Sequence, residues 1–215
     1  MRNNKIRIAL TKGRLEKEAL GLFGEMGWDV SAFSDKGRRL IFTLPGAQIV
    51  LAKAPDVITY VEHGVCDLGI TGKDMIMEYG GRYFEVADFG FGRCKFALAS
   101  KKGERENFFE GCEIKTVASK YPNVTRRFFE SKGMDVDIVK IEGSVELAPL
   151  LGLADGIVDL VETGATLKEN GLEIREEIAD ISARLIVNTV SMKMKKPEID
   201  GFLRLVESKT QEKVK

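Results

Sequence analysis

Along the chain, short apolar runs alternate with longer segments in which apolar residues recur every three or four positions. Residues 6–10 (IRIAL) read as a strand. After Thr11, Lys12, Gly13 and Arg14, the residues Leu15, Ala19, Leu22, Phe23 and Met26 share one helical face, closed by Gly27. Residues 29–33, 40–44 and 48–52 read as strands, parted by turn signals at 34–37 and at Pro45-Gly46. A short helix from Ala54 through Tyr60 ends at Gly64, and 67–71 is a strand running into a helix opened by Gly72, Lys73 and Asp74. Two strands flank Gly90, Phe91 and Gly92, and 101–111, the most polar stretch, predicts a loop or loose helix. Residues 114–118, a helix carrying Val124 and Phe128, and 136–141 form a βαβ pattern, which predicts parallel pairing. Leu147, Leu150, Leu151 and Ala154 keep helical spacing, with Pro149 admissible only in a first turn. A buried strand at 157–161 leads into Thr163, Gly164, Ala165 and Thr166. Two strand-like runs, 173–178 and 184–190, and a polar helix from Pro197 close the pattern.

Strands that alternate with helices in this way predict an α/β fold. The hexapeptide pattern D-L-x-x-T-G occurs at 67–72 and again at 159–164, each time where a strand meets a helix start. Either the echo is a coincidence in a chain with 22 glycines, or two similar lobes each present one such turn to a shared cleft.

Composition narrows the chemistry. The 33 Lys+Arg balance 33 Asp+Glu, which argues against a nucleic-acid or anionic-membrane surface as the main function. The one histidine, His63, sits at a helix end and reads as a partly exposed terminal residue; no His-rich metal site can be built. Cys66, Cys94 and Cys112 are far apart and form no CxxC, as expected of reduced thiols in a cytoplasmic protein. The longest uncharged stretch, 40–52, is thirteen residues and holds Pro45 and Gly46. A membrane span needs about 20 apolar residues. There is no GxGxxG, no Walker A and no GxSxG motif.

The strongest local chemistry is GIVDLVETGATL at 156–167. The backbone N–H groups of Thr163 to Thr166, at the positive end of a helix, suit a phosphate, and Thr163 and Thr166 add hydroxyl donors. Gly164 lets the backbone approach closely. Asp159 and Glu162 can only accept when ionised, as sugar hydroxyls require. A helix start capped by threonine is the plainer reading of the same residues. Lys12 and Arg14 follow the first strand, Arg38 and Arg39 follow Gly37, Lys53 ends a strand, and Arg93 follows a Gly-Phe-Gly turn. Singly each is a solvated charge; a polyphosphate substrate would need several to converge.

Residues 146–167, ELAPLLGLADGIVDLVETGATL, resemble the signature of the catalytic subunit of the ATP phosphoribosyltransferases. That pattern runs Glu, five residues, Gly, a small residue, aliphatic-x-Asp-aliphatic, then Thr-Gly-x-Thr-Leu. Glu146, Gly152, Ala154, Ile157, Asp159, Leu160, Thr163, Gly164, Thr166 and Leu167 fill its places. Lys12-Gly13-Arg14, 60–64 through 72–74, 90–94, 120–127 and 182–188 look like the same family, so the resemblance covers nearly the whole chain; Lys53 stands where the pattern has Arg.

The resemblance implies a two-lobed periplasmic-binding-protein-like (type II) α/β fold with a central cleft. Lobe one would be 1–90 with 180–215, and lobe two 91–179. It implies transfer of the phosphoribosyl group of phosphoribosyl pyrophosphate (PRPP) to N1 of ATP, with Mg²⁺, as the first step of histidine biosynthesis. Thr163, Gly164, Ala165 and Thr166 would hold the 5′-phosphate, and Asp159 or Glu162 the ribose hydroxyls. Arg14 and Arg38 would be catalytic, clamping the pyrophosphate and the ATP phosphates, and Lys12, Lys53, Thr71 and Arg93 would bind ATP. No nucleophilic side chain is needed, because N1 attacks. The length resembles the family's short form, which works with a regulatory subunit related to histidyl-tRNA synthetase, and the scattered Phe residues suggest a homo-oligomer (dimer). Neither nucleic acid nor membrane is expected as a partner. A two-lobed small-anion binding protein and another PRPP-dependent transferase are the rival readings; the first would normally carry an export signal, and the long signature speaks against the second.

Overall fold

The computed structural model describes residues 5–103, 108–110 and 113–212. The chain forms two compact units: Met1–Gly92 with Ser182–Lys215, and Arg93–Ile181.

The first unit is built on a six-stranded sheet. In chain order it holds β1 (Ile6–Thr11), α1 (Arg14–Glu25), β2 (Ile41–Thr43), β3 (Ala47–Ala52), α2 (Ala54–Glu62), β4 (Leu68–Gly72), α3 (Lys73–Tyr79) and β5 (Tyr83–Asp88). The strands lie in the order β2-β3-β1-β4-β11-β5, where β11 (Ala183–Asn188) returns from the end of the chain. β3, β1 and β4 are parallel, and β2, β11 and β5 pair antiparallel at the flanks. β1 is central and covered on both faces, so five of its six residues are buried and only Arg7 interrupts its apolar run. Ile8, Leu10, Ile49, Leu68, Ile70 and Leu185 supply the sheet's part of the core, and Ala19, Leu22 and Phe23 supply α1's part.

The second unit carries β6 (Cys94–Lys101), β7 (Lys115–Ser119), α4 (Pro122–Ser131), β8 (Val136–Lys140), α5 (Leu147–Leu150), β9 (Gly156–Val161), α6 (Ala165–Glu169) and β10 (Leu172–Ile181). Its five strands run β10-β6-β9-β7-β8. β7 is parallel to β8 and to β9, as the βαβ pattern requires, and β6 is antiparallel to β9 and β10. Ala97, Ala99, Ala118, Ile157, Val161 and Leu167 form one core cluster. On return to the first unit, α7 (Ser191–Met194) and α8 (Lys196–Glu212) follow β11, and Phe202 of α8 packs edge-on against Phe23 at 6.2 Å.

Several expectations meet a different structure. Residues 29–33 are not a strand. The Asp29 carboxylate accepts the Ser31 N–H at 2.9 Å and turns the chain into a 3-10 helix (Ser31–Phe33), which buries Phe33 stacked on Phe42 at 4.1 Å. The helix expected at 147–154 is a single turn. Gly152, at φ 74°, ends it, the Leu153 N–H bonds back to Ala148 O at 2.9 Å, and Leu147, Leu150 and Leu151 are left exposed. The run at 173–178 is part of a longer strand, β10, whose pairing with β6 shifts register twice. The polar 101–111 stretch falls partly outside the described residues. Cys112 lies outside them as well, and among the described residues neither Cys66 nor Cys94 is in a disulfide. Among the described residues no helix is long and apolar enough to cross a membrane.

Candidate active site

In the second unit, β9 ends at Val161 and the chain crosses Glu162, Thr163 and Gly164 into α6. This junction and Glu146 line a cavity of about 260 Å³, whose wall includes Asp159, Glu162, Thr163, Gly164, Ala165 and Thr166. All six residues that the sequence assigns to PRPP are therefore together. The turn has its own logic. Gly164 adopts φ 76°, ψ 2°, a left-handed conformation that costs other residues about 1–2 kcal/mol. A Cβ there would meet only Val161 Cγ1 at 3.9 Å, so backbone conformation, not crowding, calls for glycine. Thr163 Oγ1 accepts the Ala165 N–H at 3.3 Å. Gly164, at the N-cap, has no side chain to offer; Thr163 takes the first N–H, and those of Thr166 and Leu167 have no acceptor within the helix. Glu162, Thr163, Ala165 and Thr166 are exposed.

Asp159 differs from these surface groups. Burial pushes its carboxyl above the ordinary value; the neighbouring Glu146 adds to the shift, while a hydrogen bond from the Leu160 backbone and the charge of Lys120 oppose it. Glu146 and Lys120 are absent from the site residues expected above. Both were visible in the sequence, Glu146 as the first residue of the signature and Lys120 as the residue that follows β7, whose carboxyl end lies beside that of β9.

In the first unit, the parallel strands β3, β1 and β4 end along one edge of the sheet, where α/β folds place their sites. Thr11 pairs with Ala52, and Lys12 N–H donates to Ala52 O at 2.9 Å, which sets Lys12 beside Lys53. Both side chains are exposed, as is that of Arg14, whose Nε lies 3.2 Å from Glu18. Arg38 is exposed in the loop before β2. Thr71 departs from the expectation of a nucleotide contact: it is 0 % exposed, within β4, and its hydroxyl meets no hydrogen-bond partner. Arg93 is exposed and is the first residue of the second unit.

The two D-L-x-x-T-G segments are thus equivalent in topology and unlike in detail. In the first, Asp67 precedes the strand, Thr71 lies inside it, and Gly72 has φ −74°. In the second, Asp159 lies in the strand and Thr163 beyond it, on an exposed turn.

Comparison with known proteins bears on the same residues. The family model described as HisG, ATP phosphoribosyltransferase, matches residues 53–208. A protein named ATP phosphoribosyltransferase from Clostridium kluyveri is 58% identical over 205 residues, 94% of this chain and 93% of that protein. The chain belongs to the ATP phosphoribosyltransferase family. A relative of the same name from Clostridium acetobutylicum is 56% identical, with 96% of each covered. A chain of the ATP phosphoribosyl transferase (HisG:HisZ) complex from Thermotoga maritima superposes with a TM-score of 0.83 at 34% identity, over 96% of this chain and 99% of that one. The periplasmic aliphatic sulphonate binding protein SsuA of Escherichia coli superposes with a TM-score of 0.57 at 13% identity, over 96% of this chain and 72% of that one. This second likeness shows the fold alone, the two-lobed type II architecture. Family membership makes the chain a pentosyl-transferring enzyme of histidine biosynthesis, which joins the phosphoribosyl group of PRPP to N1 of ATP and releases pyrophosphate.

Proposed function

We propose that the cavity of the second unit is where this ATP phosphoribosyltransferase holds PRPP, and that the cations along the carboxyl edge of the first unit hold the polyphosphates. The observation that carries the reading is the cavity's composition: a glycine turn with exposed hydroxyls, leading into the helix N–H groups of Thr166 and Leu167, stands beside the acidic side chains Glu146, Asp159 and Glu162. The 5′-phosphate takes the N–H groups and hydroxyls of Thr163 to Thr166. Asp159 and Glu162 accept hydrogen bonds from the ribose hydroxyls and fix the face that C1 presents.

The N1 lone pair of ATP forms the new bond to C1 as the C1–O bond breaks, and the electron pair leaves with pyrophosphate. Nothing on the protein need act as a nucleophile. Arg14 and Arg38 meet the charge that grows on the leaving pyrophosphate, a contribution that preorganised cations make most strongly in the transition state. Lys12, Lys53 and Arg93 bind the triphosphate; Thr71 has no part in it, since its hydroxyl is inside the sheet.

Glu146 and Asp159 also fit a magnesium ion carried by the substrate, because Mg²⁺ takes one or two carboxylates and completes its shell with phosphate oxygens and water. Bound there, it would neutralise pyrophosphate charge. By analogy with the complex from Thermotoga maritima, the chain works with a HisZ-like regulatory subunit, and it self-associates.

Titration of PRPP into the wild type and into Gly164→Val tests the site. Valine strains at φ 76°, so the turn gives way and affinity falls at least about tenfold, while the melting temperature stays within a few degrees. Unchanged affinity would leave the turn a helix start and nothing more.

A further inference from the structure

Glu16 is an acid in an unexpected place. It stands at the third position of α1 and is 4 % exposed, although charged residues are seldom buried without a partner. It has two. One carboxylate oxygen accepts the Gly13 N–H at 3.3 Å, and the other takes Lys36 Nζ at 2.5 Å. Lys36 belongs to the loop between the 3-10 helix and β2, the loop that also carries Arg38 and Arg39.

The two arginines of that loop divide their work. The Arg39 guanidinium donates to Asp35 O at 2.6 Å, Ala32 O at 3.4 Å and, through Nε, Lys36 O at 3.4 Å, and lies over the Phe42 ring at 5.3 Å. It is spent on holding the loop's own shape. Arg38 makes no such bond among the described residues and is exposed. The loop is therefore braced internally by Arg39 and anchored externally by Lys36. The anchor point is the first turn of α1, two residues from Arg14.

The pair is lopsided: the Glu16 carboxylate is buried and the Lys36 side chain is 41% exposed, so desolvation and solvent screening leave it little net stability to contribute. We propose that the Glu16–Lys36 pair positions Arg38, fastening its loop to the helix start that carries Arg14, so that the two cations keep a set spacing for one polyphosphate. The proposal rests on the reading of Arg14 and Arg38 given above. Glu16 and Lys36 touch no substrate in it; they are positioning residues.

The test is a double-mutant cycle on kcat, with ATP, PRPP and Mg²⁺, between Glu16→Gln and Arg38→Ala. Glutamine keeps an acceptor for the Gly13 N–H and removes the charge that holds Lys36. Lys36→Met, on a partly exposed loop residue, repeats the test without touching α1. Each single change is expected to lower kcat by about tenfold or more, the scale set by ångström misplacement of a catalytic group, with the melting temperature little altered. In the Arg38→Ala background neither change should lower kcat further. Equal losses in both backgrounds, or full kcat in Glu16→Gln and Lys36→Met, would overturn the tether. If Arg38→Ala is impaired and the tether variants are not, the reading of Arg38 stands and only the tether falls. If Arg38→Ala is itself fully active, both fall.

Discussion

Asp159 lies two residues before the end of β9, on the cavity wall, where burial and then the nearby Glu146 charge hold its carboxyl above the ordinary value. A carboxyl whose pKa is higher in the folded than in the unfolded protein binds its proton more tightly when folded. At neutral pH it is nonetheless ionised in the unfolded chain, so its burial withholds stability there, and the loss is recovered as the pH falls through the raised value. Asp159→Asn should thus raise the melting temperature at neutral pH, and the gain should shrink as the pH is lowered into the carboxylate range. PRPP affinity should fall in the same variant, because the amide can accept through one atom only. Thermal melts across pH, with PRPP titration at neutral pH, check both halves; a melting temperature that is lower at neutral pH would mean that Asp159's hydrogen bonds outweigh its burial. A side chain that costs stability in the free enzyme is what a ligand site is expected to contain.

At the scale of elements, α2 rests on β4 through a glycine. A Cβ on Gly69 would lie 2.7 Å from Val61 Cγ2, 2.9 Å from Val57 Cγ1 and 3.0 Å from Ile186 Cγ1. Overpacking of this kind costs about 1–3 kcal/mol. Trp28, the one tryptophan, packs against Phe23 at 5.0 Å in the core of the first unit and reports on that unit. Gly69→Ala should therefore move the urea midpoint followed by Trp28 fluorescence downward; an unmoved midpoint would show that α2 shifts freely. The elements legible in the sequence were those whose pattern and surroundings agree. The apolar runs of β1 and β3 are strands because both faces are covered, and the βαβ pattern gave parallel pairing. The strand at 157–161 and its turn were legible because Gly164 is both the local breaker and the conformational requirement. Residues 29–33 misled because a local bond from the Ser31 N–H to Asp29 outcompetes pairing. The leucines at 147–151 misled because helical spacing states which face they share, not what covers it. Thr71 misled because β4 runs three residues further along the hexapeptide than β9 does, a difference invisible in the repeated pattern that decides between a strand interior and an exposed turn.

The whole chain is folded so that its beginning and end build one unit and its middle builds the other. The chain leaves the first unit after Gly92 and re-enters it at Ser182, and the Asp88 carboxylate ties these points together within that unit. It accepts the Gly90 N–H and the Ser182 hydroxyl, each at 2.8 Å, and takes Arg184 at 3.0 Å. Each unit has its own core and sheet, so each can hold its own share of the substrates. On the reading above, those shares differ in kind: acids and a phosphate turn in the second unit, cations at strand ends in the first. Amide hydrogen exchange separates them, since a bound ligand slows exchange where it suppresses local opening. PRPP with Mg²⁺ should slow exchange chiefly across 159–168, and ATP alone chiefly across 12–16 and 52–57. Protection by PRPP that spares 159–168, or protection by ATP confined to the second unit, would reverse the assignment of the substrates while leaving the family reaction untouched.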